Sequence, residues 1–159
     1  MTVDDIAAVT AADSDPLDRL GFLLARNGAI ANSRVHHALG SCGLAVRQGT
    51  TLMLLGTSGF MSQRALAATL EVDPSILVGV LNDLESAHLV ERRRDPSDRR
   101  RHIVAITEEG RCLLAKAHQA VTEVEEGLFA DLTPEETTAL RGLLARVRTS
   151  PRDPVCFEQ

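Results

Sequence analysis

Six arginines fall within ten residues, Arg92-Arg93-Arg94 and Arg99-Arg100-Arg101, on either side of Asp95-Pro96-Ser97-Asp98. A guanidinium holds two acceptors in one rigid fork and is weakly hydrated, so a cluster of them suits phosphate and base edges. The chain as a whole is acidic, with a formal net charge of −5. Between His88 and Val104 the six Arg oppose Glu91, Asp95 and Asp98, a local +3 that leaves −8 for the remainder. One basic protrusion on an acidic body is the charge pattern of a protein that meets a polyanion at a single place. A charge run is more often just a solvated hairpin, and only its neighbours in the chain can decide.

Other chemistry finds little to stand on. There is no G-x-S-x-G, no phosphate-binding glycine loop and no His-Glu-x-x-His, so an enzyme is not expected. His36, His37, Cys42, Cys112 and His118 have no metal-type spacing, so neither a metal nor a cofactor is expected. Three scattered cysteines suit a reducing cytoplasm better than a disulfide framework. The start carries Asp4 and Asp5 without a basic, apolar run, and no stretch approaches the ~20 apolar residues of a membrane span. A cytoplasmic protein without membrane contact is therefore expected. The chain has no Trp, no Tyr and four Phe. Single strands are usually gripped by stacking bases on aromatic rings, so a nucleic-acid partner here should be a duplex.

The elements that must position the arginines can be read from caps and periods. Residues 1–14 are small, acidic and aperiodic, and read as a loose arm. Asp15-Pro16 reads as the cap and first position of a helix whose stripe Leu17, Leu20, Leu24, Ala31 and Val35 runs to about Leu39. Gly40-Ser41-Cys42-Gly43 ends it, and a second helix spans about 44–55, closed by Gly56-Thr57-Ser58-Gly59. Ser62 caps a short helix over 63–70, Glu71-Val72 turns the chain, and Asp73-Pro74 starts another helix. In that helix Ile76, Leu77, Val80, Leu81 and Leu84 follow period 3.6, which completes a helix-turn-helix. "LVERRR" and "RHIVAIT" are candidate strands of a hairpin whose tip is Asp95-Pro96-Ser97-Asp98. Thr107 caps a long helix over 108–129, where Leu114, Ala117, Val121, Val124 and Leu128 make a seam for a partner helix. Thr133-Pro134-Glu135-Glu136 is a capping box for a last helix bearing Leu140, Leu143, Leu144 and Val147. Cys112 is expected to pack along the long helix.

A helix-turn-helix followed by a basic hairpin is a winged helix, so the run is a wing tip rather than a generic solvated turn. Its second helix can enter the major groove, and its hairpin can reach a narrow minor groove that attracts Arg. From about Leu17 to Val147 the chain resembles the multiple antibiotic resistance regulator (MarR) family. The resemblance is carried by "SQRALAATLEVDPS", "LNDLE" and above all "LVERRRDPSDRRRHIVAITEEG". It implies a mainly α fold with a small β-hairpin wing, a winged helix-turn-helix in an intertwined homodimer. It further implies repression of a near-palindromic operator in double-stranded DNA, relieved by a small ligand or by oxidation. The implied organisation is an arm (1–14), a helical dimerisation region (15–40 and 108–149), a DNA-binding region (44–107) and a tail (150–159).

The wing element Asp-x-Arg of that family falls on Asp98 and Arg100, with Arg100 entering the minor groove, Asp98 holding it, and Arg94 and Arg99 adding phosphate contacts. The remaining expected DNA-binding residues are Ser62, Gln63 and Arg64 at the start of the first helix of the motif and Ser75, Ile76, Val78, Gly79 and Asn82 on the second. Where relatives often offer Ser, Thr and Arg, this helix offers Ile76, Leu77, Val78, Gly79 and Val80, so hydrogen-bonded readout is thin. Phosphate contacts and DNA shape should carry much of the affinity. The competing reading is a fold that has lost specific DNA reading and serves as a ligand-binding or interaction module. For an effector, His36, His37 and Arg47 are candidates, with Arg47 suited to an aromatic carboxylate; Cys42 is the candidate redox thiol.

Overall fold

A computed structural model describes residues 16–95, 98 and 102–147. Its helices are α1 (Leu20–Ser41), α2 (Val46–Ser58), α3 (Gln63–Thr69), α4 (Pro74–Ser86), α5 (Glu108–Leu128) and α6 (Pro134–Leu144). Three strands complete it: β1 (Phe60–Met61), β2 (Val90–Arg94) and β3 (His102–Ile106). The chain divides into two units, Met1–Arg34 and Val35–Gln159, and α1 runs from one into the other.

In the first unit Pro16–Asp18 form a 3-10 turn and α1 begins only at Leu20, so Pro16 does not open the helix as its position suggested. Leu17, Leu20, Phe22, Leu24 and Ile30 are all exposed.

The second unit holds the core. Leu39, Leu52, Leu55, Leu66, Leu77, Leu81 and Leu84 are shut off from solvent, with Val90, Val104 and Ile106 from the sheet. Truncating any one of these leucines to Ala is the kind of change that costs ~2–5 kcal/mol. The helix-turn-helix is built as its caps dictate. Ser62 Oγ accepts from the Ala65 N–H at 3.2 Å and starts α3. Asp73 caps α4 with Pro74 at its first position, and Leu77, Leu81 and Leu84 face inward. α3 and α4 are bent 113° from each other, the angle of this motif.

Three chain reversals share one physical device. After α1, α3 and α4 the chain takes a left-handed residue and closes a six-residue bond: Leu44 N–H to Leu39 O at 3.0 Å, Val72 N–H to Ala67 O at 3.1 Å and Leu89 N–H to Leu84 O at 2.9 Å. The left-handed residues are Gly43, Glu71 and His88 (φ +74°, +52° and +57°). Glycine marks only the first, so the other two turns carried no glycine signal.

The second helix runs three residues past its expected end. Gly56 lies inside α2 because α5 crosses there: a Cβ on Gly56 would lie 2.2 Å from Leu114 Cδ2. That packing also corrects the seam. Ala117 is fully buried, and Leu114 and Val121 pack on the unit's own core, so this half of α5 meets its own chain instead of a partner helix. Cys112 is exposed rather than packed. β1 was not expected, since two residues carry no period; it pairs with β3 through Phe60↔Ala105 and Met61↔Val104. The sheet order is β1-β3-β2, which makes β3 central and buries Ile103 through Ile106. α6 has the expected capping box, with Thr133 Oγ1 accepting from Glu136 N–H and Glu136 accepting from Thr133 N–H.

Candidate nucleic-acid interface

The wing grows from the end of α4. His88 and Leu89 turn the chain into β2, which pairs antiparallel with β3 in the register Val90↔Ile106, Arg92↔Val104 and Arg94↔His102. Thr107 locks the base of this hairpin. Its hydroxyl donates to His88 O at 2.7 Å and accepts from Gly110 N–H at 3.0 Å, so one side chain ends the wing and begins α5. Gly110 is needed for the approach: a Cβ there would sit 2.1 Å from the Leu89 carbonyl oxygen. The "T-E-E-G" after the wing is therefore a mechanical joint.

Residues of a strand alternate between its two faces. Arg92 on one face reaches α4, where its guanidinium pairs with Glu85 and donates to Asn82 Oδ1 at 2.9 Å, while its backbone N–H donates to Glu85 Oε1 at 3.2 Å. Arg93 on the other face pairs with Glu91 at 3.4 Å. Among the described residues of the run, Arg92 and Arg93 are thus already matched with carboxylates. Arg94 is exposed, and Asp95 and Asp98 are half-buried. Arg99 and Arg100 lie outside the described residues.

On the helix-turn-helix, Ser62 and Gln63 are half-buried and Arg64 is exposed at the start of α3. On α4, Ser75, Gly79 and Asn82 are exposed, and so are the apolar Ile76 (39%) and Val78 (38%). Open space surrounds Gly79. The polar groups of this face are less available than their types suggest. Ser75 Oγ donates to Asp73 Oδ1, which also accepts the Ser75 N–H at 2.7 Å. These two bonds, the hydroxyl's first, hold the Asp73 carboxyl below its ordinary value of 3.8. Asn82 Oδ1 is taken by Arg92. Sequence reasoning passed over Glu85 and Arg92 as partners. The available signal was the three-residue spacing of Asn82 and Glu85, which puts both on one side of α4.

The other candidate residues sit where α1 ends and α2 begins. Leu39 packs on Gly49, whose added Cβ would be 2.9 Å from Leu39 Cδ1. His36 and Arg47 are half-buried in these stretches, while His37 is exposed. Cys42 is a half-buried free thiol in the turn between them. Among the described residues no group of His, Cys, Asp and Glu is placed to hold a metal, and no single helix is long and apolar enough to cross a membrane.

Comparisons with known proteins converge on one family. The MarR family model matches residues 44–102, from just before α2 to the first residue of β3. An HTH-type transcriptional repressor of Mycobacterium bovis is 31% identical over 136 residues, covering 86% of this chain and 96% of that protein. A proposed regulatory protein for the hcr operon of Thauera aromatica is 38% identical over 96 residues, 60% of this chain and 58% of its own length. Among solved structures, CouR from Rhodococcus jostii RHA1 bound to p-coumaroyl-CoA is 35% identical, with TM-score 0.75, over 87% of this chain and 99% of that one. A mutant MarR from E. coli complexed with operator DNA is 26% identical, with TM-score 0.70, over 86% and 100%.

Proposed function

This chain belongs to the MarR family, and from that premise we propose that it is a ligand-responsive transcriptional repressor that binds a pseudo-palindromic operator in duplex DNA as a homodimer. The observation that carries the reading is the joint at Thr107 and Gly110, which fixes a basic hairpin beside an exposed helix of a helix-turn-helix. α4 enters the major groove, with Ile76 and Val78 set against thymine methyls and Gly79 allowing close approach. Ser62, Gln63, Arg64, Arg94 and Arg99 take phosphates. Arg100, held by Asp98, enters the minor groove. The structure of a 26%-identical relative on operator DNA supports this use of the fold.

Exposed apolar residues in each unit support the dimer: Leu17, Leu20, Phe22 and Leu24 in the first, Leu143, Leu144 and Val147 in the second. Two-fold symmetry then places the recognition helices ~34 Å apart, one duplex turn. An effector of aromatic-acid type, held by His36, His37 and Arg47, lowers affinity by changing that spacing. A 35%-identical relative bound to p-coumaroyl-CoA supports the aromatic class.

Gel shifts on the DNA upstream of the protein's own gene test the reading. Affinity should fall steeply with salt, and Arg100→Ala should flatten the logarithmic slope by ~1.8, one phosphate-equivalent contact in each of the two protomers. An unchanged slope in that variant overturns the minor-groove assignment, and no shift by the parent overturns DNA binding.

A further inference from the structure

We propose that Arg92 is a positioning residue rather than a DNA contact: with Glu85 it locks the wing strand β2 to α4, and it presets the Asn82 amide as a hydrogen-bond donor. This rests on the DNA-reading function above. Arg92 lies in the basic run, where charge alone would assign it to phosphate. Its fork, however, spans the Glu85 carboxylate and Asn82 Oδ1, and its backbone N–H binds the same carboxylate. A phosphate brought to this guanidinium would be brought to Glu85 as well, charge against like charge. The pair therefore adds little to the field that attracts DNA. What it adds is geometry, because the two elements that read DNA are joined here by three bonds across the junction of helix and wing.

The consequence for Asn82 follows from donor counting. Arginine has only donors, so the arm of the amide that faces Arg92 must be its oxygen. Asparagine reads adenine by donating to N7 and accepting from the 6-amino group. With a guanidinium seated at Oδ1, an incoming amino group meets another donor. Oδ1 keeps a second lone pair, but the bound guanidinium sets positive charge beside it, so Asn82 chiefly offers Nδ2. Guanine, with N7 and O6 both acceptors, is favoured over adenine, whose edge adds a 6-amino donor.

The test is selection of bound duplexes from a random pool, paired with salt titrations of the full chain. Arg92→Met should lower the ratio of specific to non-specific affinity about tenfold and shift one position per half-site toward adenine. Its salt slope should stay at the parent's value, unlike that of Arg100→Ala. Glu85→Ala should lower the same ratio while steepening the slope by up to ~1.8, because it releases Arg92 of both protomers to phosphate. A general loss of stability would neither move the base preference nor leave one slope at the parent's value while steepening the other. The inference fails if Arg92→Met flattens the slope and keeps the parent's base preferences. If circular dichroism shows Arg92→Met unfolded, Glu85→Ala decides: an unchanged ratio and slope overturn the inference. A parent that selects no duplex removes the DNA-reading function itself, and the inference with it.

Discussion

Asp73 shows how much one cap residue settles. Its carboxylate receives the hydroxyl and the backbone N–H of Ser75, which both starts α4 and engages the Ser75 side chain. Because those bonds hold its pKa below the ordinary value, the folded state binds that proton less readily than the unfolded chain. The stabilisation is present in full above the unfolded value near 3.8 and is lost as pH falls through the folded one. Asp73→Asn should therefore show a shallower loss of stability between about pH 5 and 2 than the parent in acid-titrated thermal melts. Equal slopes would remove the cap from the account. At this scale the sequence was half legible. Asp73-Pro74 named the cap, and the residue types at 76–80 showed how few polar side chains this stretch carries. That Ser75 and Asn82 were further committed, to Asp73 and Arg92, required their neighbours in space.

Among elements, the wing and the start of α5 behave as one piece. Gly110 has no substitute with a side chain, since its Cβ position is occupied by the Leu89 carbonyl and Ile106. Gly110→Ala should cost about 1–3 kcal/mol, the usual penalty of overpacking, in chemical denaturation, and should loosen the wing before the rest of the fold. Hydrogen exchange of the Thr107 and Gly110 amides reports that directly, and parent-like protection would contradict it. The helices of the motif, the hairpin and the capping box of α6 were all legible, because caps and a 3.6 or 2 period are local properties. β1 was not, since a two-residue strand exists only through its partner. Nor was the true end of α2: Gly56 reads as a stop signal, yet it serves as the notch that admits Leu114. The turns at Glu71 and His88 lacked the glycine that would have marked them.

For the molecule as a whole, the unbalanced surfaces matter most. α6 has no buried residue, and Leu143 and Leu144 lie exposed at 59% and 45%, while Leu20 in the other unit is 81% exposed. Large apolar side chains at such positions are what a second copy covers. A charge placed there should break the dimer, so Leu20→Asp with Leu143→Asp should raise the dissociation constant at least tenfold, about 1.4 kcal/mol, in sedimentation velocity. DNA affinity should fall with it, because two half-sites are then no longer bound as one. A variant that stays dimeric places the interface elsewhere.

By itself the sequence determined which segments are helical, that a basic hairpin follows a helix-turn-helix, and hence the family. Those features rest on local caps, periodicity and charge, which need no partner in space. Only the tertiary structure decided that Arg92 is matched across the junction with α4. Its guanidinium pairs with Glu85, seven residues away and on another element, whereas Arg93 pairs with Glu91 of its own strand. An ion pair depends on distance between elements, and composition is blind to that.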